Sequence, residues 1–344
     1  MAFVIPVFIP HQGCPHTCVF CNQHTITGLA GPAPVTPDGV RAVIEQWLAR
    51  SPGRIAGGAQ VAFYGGSFTG LPRSRQGELL DGVAPFLEAG RVREIRLSTR
   101  PDYIDGPTVD FLRQRGVTIV ELGVQSMDQV VLDACGRGHT PGQAVEAVRL
   151  LRRGGMQVGL QLMVGLPRET TASFLRTVRE AARLQPDFIR IYPVLVLRGS
   201  ELADMLARGK YRPLSLGGGV VRAARMKEYF AARGIRVVRM GLQAGPELEK
   251  WLVAGPYHPA FGEMVNARIM LNRTRRILRD VREGEPVRLS ISARDRSTFC
   301  GVRSANIARL RDLGLLDRFS LVTDADQPRH TVRVMNDSEP ACIE

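Results

Sequence analysis

Three cysteines near the N-terminus are the residues of this chain whose types and spacing could do chemistry. Residues 14 to 21 read CPHTCVFC, so Cys14, Cys18 and Cys21 follow a C-x3-C-x2-C spacing. Three thiolates can hold a [4Fe–4S] cluster and leave one iron without a protein ligand, open to a small molecule. Zinc is the alternative, because these cysteines and one nearby histidine would make four ligands. The nearby histidines are His11, His16 and His24.

The composition is that of a globular protein in a reducing compartment. The chain has 344 residues, 44% of them hydrophobic, enough for one large α/β domain and a small appendage. We expect no membrane span, since no run approaches about 18 uncharged apolar residues. The N-terminal MAFVIPVFIP lacks the basic region and cleavage site of a signal peptide. We therefore expect a cytoplasmic location, where clustered cysteines bind metal in preference to forming disulfides.

The charge balance points to a polyanionic partner. The chain carries 46 Lys and Arg against 33 Asp and Glu, a net charge of +13 with a pI near 10.2. RNA is the obvious candidate for such a surface. A genomic preference for arginine is the other explanation, because the only lysines are Lys210, Lys227 and Lys250.

Short β-rich runs alternate with amphipathic helical stretches over residues 3 to 243. This alternation predicts a parallel sheet with right-handed crossovers. Six or seven β/α units favour a barrel, or a partial (β/α)6-type TIM barrel, over a doubly wound sheet, a choice that periodicity alone leaves open. The predicted strands are Phe3–Ile9, Val61–Gly65, Glu94–Thr99, Thr118–Gln125, Gln157–Gly165, Phe188–Val196 and Ile235–Met240.

A different pattern follows, with basic helices predicted at residues 263–282 and 302–314 and a strand at residues 331–334. We interpret residues 1–245 as the core and residues 246–344 as a small, basic, α-rich C-terminal extension. The predicted linkers are Gly217-Gly218-Gly219 and residues 244–259.

Polar and glycine-rich fragments fall at the predicted strand ends, where parallel α/β barrels carry their working groups. A glycine pair at such an end either lets a ligand approach the backbone or makes a plain turn. After the cysteine loop, the fragments are Tyr64-Gly65-Gly66-Ser67, Ser98-Thr99-Arg100-Pro101-Asp102, Gln125-Ser126, Gly165-Leu166-Pro167 and Tyr192-Pro193.

The order of these motifs resembles the radical S-adenosylmethionine (SAM) core of the Elongator catalytic-subunit (Elp3-like) family over roughly residues 1–245. The fragments that carry the resemblance are GCPHTCVFCNQ, FYGGSFTG, STRPDYI, VELGVQS, GRGHT, LMVGLP, IYPVLVLRGSEL and MGLQ. YHPAFGEMVNAR is similar to a stretch of the shorter family members. The resemblance implies an enzyme that reductively cleaves SAM at a [4Fe–4S] cluster, generates a 5′-deoxyadenosyl radical and modifies tRNA.

The resemblance also implies roles for individual residues. Cys14, Cys18 and Cys21 would bind the cluster, and their assignment to iron rests on this resemblance. The residues implied in SAM binding are Tyr64, Gly65 and Gly66 at the amino group, Gln125 and Ser126 near the ribose, and Arg137 near the carboxylate or the substrate. Ser67 stands where the family often has an acid, so backbone carbonyls would take over its hydrogen bonds. An ordinary strand-end amide and an ordinary exposed arginine remain the alternatives for Gln125 and Arg137.

The sequence leaves more than one hypothesis for the substrate and the partners. The roughly 100 residues after the core are short for the family's acetyltransferase domain, so we expect that half to be absent. We predict tRNA bound by the basic C-terminal region, and an electron donor of ferredoxin or flavodoxin type. The competing hypotheses are a radical SAM enzyme acting on a small molecule, such as a coproporphyrinogen, and a non-enzymatic metal protein that binds nucleic acid.

Overall fold

The chain forms two compact units. The computed structural model describes residues 3–9, 13–14, 18–22, 35–50, 58–282, 285 and 287–335. The first unit contains Met1–Ser215 and Tyr229–Pro256, and the second contains Leu216–Glu228 and Tyr257–Glu344. The predicted domain limits, 1–245 and 246–344, remain a proposal beside this division.

Nine strands of the first unit are described. They are β1 (Phe3–Phe8), β2 (Ala59–Tyr64), β3 (Val92–Thr99), β4 (Val117–Gln125), β5 (Gln157–Val164), β6 (Phe188–Pro193), β7 (Val196–Leu197), β8 (Arg236–Met240) and β9 (Leu252–Ala254). Strands β1 to β6 and β8 form one parallel sheet in chain order, while β7 and β9 pair antiparallel. The sheet curls as a half barrel, which confirms the predicted partial TIM barrel.

Alternation along the strands gives the sheet two different faces. The outer face is apolar and buried beneath the helices, as Phe63, Leu97 and Leu122 illustrate. The inner face carries polar side chains from neighbouring strands in register, so that Ser98 lies beside Glu121 and Gln161 beside Arg190. The inner face is therefore where a polar site can form.

Helices alternate with these strands along the chain, and most residues of the helix Leu216–Ala231 belong to the second unit. The helices are α1 (Pro37–Arg50), α2 (Arg73–Asp81), α3 (Ala84–Glu88), α4 (Gly106–Gln114), α5 (Gln129–Ala134), α6 (Pro141–Arg153), α7 (Thr171–Arg183), α8 (Glu201–Ala207), α9 (Leu216–Ala231) and α10 (Pro246–Trp251). Several begin at side-chain caps, and Thr140 and Thr170 each form a reciprocal capping box with the residue three positions on. Such a cap contributes about 1 kcal/mol to helix stability.

The predicted linker at Gly217-Gly218-Gly219 is wrong, because these glycines lie in the first turns of α9. Each glycine costs a helix about 1 kcal/mol relative to alanine. The residues that follow bury a helical stripe, including Val220, Ala224 and Phe230. Burial of that stripe outweighs the poor helix propensity of the glycines.

The second unit combines helices with a small sheet. Its main elements after α9 are α11 (Phe261–Asp280), β10 (Val287–Ser292), α12 (Arg296–Cys300), α13 (Ala305–Asp312), β11 (Phe319–Asp324) and β12 (Val332–Val334). Strand β10 lies between β11, to which it is parallel, and β12, to which it is antiparallel. The two predicted helices and the final strand are confirmed, whereas β10 and β11 were not predicted. Met270, Ile291 and Phe299 form part of the core of this unit.

None of the described helices is long and apolar enough to cross a membrane.

Candidate active site

The cysteine loop lies directly against the loop that follows β2. A Cβ atom on Gly70 would lie 2.0 Å from the carbonyl oxygen of Gly13, and one on Gly13 would lie 2.1 Å from that of Ser67. Only a residue without a side chain allows two backbones to approach so closely. Gly13 also has a positive φ of 72°. This contact places the first cysteine beside the end of the second strand.

Hydrogen bonds hold residues 18–22 of the cysteine loop. The amide of Val19 donates to the carbonyl of Cys135 at 3.1 Å, and the carbonyl of Val19 accepts from the amide of Leu202 at 2.7 Å. The amide of Cys21 donates to the carbonyl of Cys18 at 2.8 Å, which closes a turn between these two cysteines. The loop is thereby tied to the residue that follows α5 and to the start of α8.

The surroundings of the cysteines are positively charged. Arg137 Nη1 lies 3.3 Å from Cys18 Sγ and donates a hydrogen bond to it. Burial raises the pKa of the Cys14 thiol, while Arg137, Arg100 and a backbone hydrogen bond from Ser67 act in the opposite direction. Cations and amide donors near a thiol favour the thiolate, which is the form that binds metal.

These residues fit a [4Fe–4S] cluster. Among the described residues, no three His, Cys, Asp or Glu side chains converge on a point that a single metal ion could occupy. A cubane cluster binds each thiolate at a different iron, so its ligands do not need to meet at one point. The histidines that the zinc alternative requires, His11, His16 and His24, lie outside the described residues.

Gln125 and Arg137 are both buried and both keep unsatisfied polar atoms. Gln125 ends β4 with a positive φ of 63°, and its Oε1 has no hydrogen-bond partner among the described residues. Arg137 Nη2 donates to the carbonyl of Gly123, while its Nε is likewise unpartnered in the described structure. A buried polar atom without a partner costs about 1–3 kcal/mol, and left-handed strain in a residue other than glycine gathers at ligand sites. Gln125 is therefore not a satisfied strand-end amide, and Arg137 is not an ordinary exposed arginine.

The two predicted serines are occupied by structural contacts. Ser67 Oγ lies 3.0 Å from Thr99 Oγ1 and accepts from the amide of Arg100 at 3.3 Å. Ser126 Oγ lies 3.0 Å from Thr177 Oγ1 and accepts from the amide of Asp128 at 3.1 Å. Both hydroxyl groups join neighbouring loops, so the backbone is the part of these residues that is left to meet a ligand. Their predicted roles stay predictions.

Arg100 sets the position of the loop that carries Arg137. Its guanidinium group binds both carboxylate oxygens of Asp102, at 3.0 and 2.8 Å, and donates to the carbonyl of Arg137 at 2.5 Å. Burial by itself lowers the pKa of Arg100, but the hydrogen bond and charge of Asp102 outweigh it and raise the pKa. Arg100 was predicted at a strand end, with no role of its own.

A charged network that the sequence analysis missed occupies the inner face of the sheet. Glu121, 1% exposed, forms ion pairs with Arg96 and with Arg190, the latter with 2.8 Å between Nε and Oε2. Tyr64 donates to Glu121 Oε1 at 3.1 Å and accepts from Arg190 Nη2 at 2.8 Å. Burial and the charge of Glu121 raise the pKa of Tyr64 to about 12. The Tyr64 hydroxyl, predicted to line SAM, therefore belongs to this network.

A signal for this network was present in the sequence. Three strands carry a charged residue between apolar neighbours: Arg96 in EIRLST, Glu121 in IVELGVQ and Arg190 in FIRIYP. Lone charges are almost never fully buried without partners. Such residues on neighbouring strands are therefore expected to pair with one another.

His139 is the second buried group that the sequence analysis passed over. It lies in the loop between α5 and α6, is 1% exposed, and neither ring nitrogen meets a hydrogen-bond partner among the described residues. Burial and then the charge of Arg137 lower its pKa to about 3, against weaker opposing effects of Asp102 and the Val124 backbone. His139 is thus neutral and packs behind Arg137.

Comparison with known families agrees with this geometry. The sequence profile described as Radical SAM superfamily matches residues 8–181, about half of the chain. The chain belongs to the radical SAM superfamily. The profile described as Radical_SAM C-terminal domain matches residues 186–271.

Membership decides the chemistry and the cofactors of this radical SAM protein. Superfamily members bind a [4Fe–4S] cluster and SAM, and these are the cofactors of this enzyme. The non-enzymatic alternative is therefore wrong. The residue assignments at the cluster and at SAM remain proposals.

Individual relatives agree with the Elp3-like resemblance. The chain is 29% identical over 246 residues to the tRNA uridine(34) acetyltransferase of Methanocaldococcus jannaschii, covering 61% of this chain and 46% of the relative. It is 26% identical over 253 residues to Elongator complex protein 3 of Schizosaccharomyces pombe, covering 62% and 46%. The structure of Methanocaldococcus infernus Elp3 aligns with a TM-score of 0.63 at 24% identity, covering 78% of this chain and 62% of that one. The chain spans about half the length of the curated relatives it matches.

Replacing Gly70 by alanine tests the backbone contact that supports the cysteine loop. The added methyl group would lie 2.0 Å from the carbonyl oxygen of Gly13, so one of the two loops must move. We expect Gly70→Ala to retain well under half of the wild-type iron and sulfide after anaerobic reconstitution. Gly106→Ala is the matched control, because a Cβ there meets nothing within 4 Å. A folded Gly70→Ala protein with full iron content would show that the contact between Gly70 and Gly13 does not support the cysteine loop.

Replacing Glu121 by glutamine tests the inner-face network. Arg96 and Arg190 would keep their buried charges without a counterion, and losing one partner of a buried ion pair costs about 3–5 kcal/mol. Urea unfolding of the anaerobic protein measures this loss. Glu45→Gln is the control, since Glu45 pairs with Arg91 at the surface, and we expect little change from it. Equal stability of the two variants would refute the role given to Glu121.

His139 makes stability depend on pH in a stated direction. Its pKa is about 3 in the folded protein, against an ordinary value of 6.5. Acidification below 6.5 therefore protonates the unfolded chain only, so the contribution of His139 is full above that pH and is lost as the pH falls towards 3. From pH 7 to pH 5 we expect the free energy of unfolding to fall by about 2 kcal/mol more in the wild type than in His139→Gln. Parallel pH profiles of the two proteins in urea would disprove this.

Proposed function

We propose that this radical SAM enzyme modifies a base of tRNA. The observation that carries the proposal is the 246-residue match to a relative named as a tRNA uridine(34) acetyltransferase. The net charge of +13 supports it, because a basic surface attracts RNA. The proposal includes a one-electron donor of ferredoxin or flavodoxin type and a cytoplasmic location.

In this proposal the cysteine loop holds the cofactors. Cys14, Cys18 and Cys21 would bind the cluster, with Arg137 beside Cys18 Sγ balancing its negative charge. When bound, the cluster and SAM supply a 5′-deoxyadenosyl radical that abstracts a hydrogen atom from the substrate. The protein itself binds, orients and shields the reacting groups.

The unsatisfied atoms at the end of β4 suit the polar groups of SAM. Gln125 Oε1 would accept a hydrogen bond from a ribose hydroxyl, and Arg137 Nε would donate one to the carboxylate. The backbone at Gly65 and Gly66 would receive the amino group, since Gly65 has a positive φ of 90° and no side chain in the way. Each atom would gain in the complex the partner that it lacks among the described residues.

The inner-face network would meet the substrate. Arg96 Nη2 is buried and has no hydrogen-bond partner in the described part of the chain. Two guanidinium groups face one carboxylate, so the network carries an excess positive charge. A donor of this kind suits the carbonyl oxygens of a uracil base. Glu121 holds both arginines in place for that contact.

The test is anaerobic turnover of the reconstituted protein. Dithionite, SAM and a tRNA pool from cells lacking this gene are supplied, and 5′-deoxyadenosine and the masses of the digested nucleosides are measured. We expect both 5′-deoxyadenosine and one nucleoside of changed mass. Cys14→Ala, Cys18→Ala and Cys21→Ala should each lower both products at least 100-fold. Cys300→Ala is the control, because Cys300 lies in the second unit.

The outcomes separate the parts of the proposal. A cysteine-loop variant that still forms 5′-deoxyadenosine would overturn the cluster assignment. A wild type that cleaves SAM but changes no nucleoside would leave radical chemistry intact and remove tRNA as the substrate. The small-molecule hypothesis would then take its place.

A further inference from the structure

A basic cleft in the second unit has no assigned function. It is open, has a volume of about 480 Å³, and is formed by the last turns of α11 together with the segment before β11. We call it the arginine cleft. Its lining residues are Asn272, Arg275, Arg276, Arg279, Leu315 and Arg318.

The positive charge of the arginine cleft is not balanced within the described structure. None of the described residues that line it is acidic. Arg275 and Arg276 are exposed, and neither side chain forms an ion pair or hydrogen bond with a described residue. Among the described residues, the Arg279 side chain pairs with the adjacent Asp280 alone, and that pair is largely exposed. The cleft therefore presents guanidinium groups to solvent with their donors available.

Arg318 adds a buried donor to the same cleft. Its Nη2 donates to the carbonyl of Val281 at 3.3 Å, which directs the guanidinium group towards the end of α11. Its Nε is buried and finds no partner among the described residues. A buried charged donor without an acceptor is costly. An anion in the cleft would supply the missing acceptor.

Interactions within α11 do not explain why arginines cluster near its end. Asn272, Arg275 and Arg279 are spaced i, i+3 and i+7, so they share one face of α11. Like charges at Arg275 and Arg279, four residues apart, destabilise a helix by a few tenths of a kcal/mol. The helix dipole favours cations only in the last turn. It therefore accounts for Arg279 but not for Arg275 or Arg276. Arg268 on the same helix has its pKa lowered by burial and by Arg275 and Arg309.

The chemistry of the cleft selects a chain of phosphates as its ligand. Guanidinium groups bind phosphate oxygens through paired hydrogen bonds, and the Asn272 amide can donate to another. Four residues of helix advance about 6 Å, so Arg275 and Arg279 can meet successive phosphates of one strand. Among the described lining residues, none is an aromatic on which a base could stack. Contacts of this kind position a nucleic acid without reading its sequence.

We propose that the arginine cleft binds the phosphodiester backbone of the RNA on which the enzyme acts. This inference rests on the proposed function, in which that substrate is RNA. The cleft would anchor the RNA outside the reacting base, through Arg275, Arg276, Arg279 and Arg318. Binding would therefore tolerate changes of sequence and weaken steeply with salt.

The test compares two triple variants of the full-length protein. One combines Arg275→Gln, Arg276→Gln and Arg279→Gln. The other combines Arg50→Gln, Arg113→Gln and Arg153→Gln, which removes the same charge from exposed helix positions of the first unit. Fluorescence anisotropy of a labelled tRNA transcript is followed as KCl is raised under anaerobic conditions. We expect roughly 10- to 100-fold weaker binding by the cleft variant and a salt slope smaller by about 2–3. The control should stay close to the wild type.

The possible results distinguish failure of the cleft inference from failure of the proposed function. If the wild type binds tRNA and both triple variants bind equally well or equally poorly, the cleft inference is overturned and the proposed function stands. If the wild type does not bind tRNA even at low salt, the RNA part of the proposed function fails and the inference fails with it.

A second measurement needs no variant. Wild-type protein is treated with phenylglyoxal with and without the tRNA transcript, and modified arginines are located by mass spectrometry. Protection of Arg275, Arg276 and Arg279, but not of Arg113 and Arg153, supports the inference. Protection of neither group in a protein that binds tRNA would overturn it, even if the triple variant does not fold.

Discussion

The placement of one guanidinium group, that of Arg137, is the constraint on which the site depends. It touches the Gly123 carbonyl of β4 and the sulfur of Cys18, and so fixes the cysteine loop relative to the sheet. Arg100 holds the backbone of Arg137 from the end of β3. Moving any of these strands would move the cation away from the thiols, and a thiol without a nearby cation ionises less readily to the thiolate that binds metal.

The same region contains several groups that destabilise the folded protein. Gln125 holds left-handed backbone angles, and buried atoms of Gln125, Arg137 and His139 lack partners among the described residues. A core built for stability would replace such groups with apolar ones. Their concentration at the end of β4 and in the loop between α5 and α6 is understandable if a polar cofactor completes the hydrogen bonding. The inner-face network follows the same logic, since Glu121 is buried between two arginines where an apolar pair would pack at less cost.

Much of this arrangement could be predicted from local pattern. The apolar runs specify the strands because a strand that is buried on one face needs regular spacing of its apolar residues. Glycine and proline mark the turns, and the parallel order follows from the alternation of strands with helices. Local pattern failed at Gly217-Gly218-Gly219, where burial of the helix that follows outweighs the propensity of three glycines. It also failed for β10 and β11. These two strands pair with one another, and β10 pairs with β12 on its other side.

The sequence by itself determined the alternating α/β pattern and the cysteine triplet, because these depend on residue types at short, regular spacings, and its resemblance to the radical SAM core indicated the chemistry. Only the tertiary structure decided what each side chain touches. It turned Ser67 and Ser126 into ties between loops, drew Tyr64 into a network with Glu121 and Arg190, and brought Arg137 to Cys18 across 119 positions of the chain. It also gathered Arg318 with the arginines of α11 into one cleft. Contacts of this kind join residues far apart in sequence, and no local periodicity carries the information about which strand or loop will lie opposite.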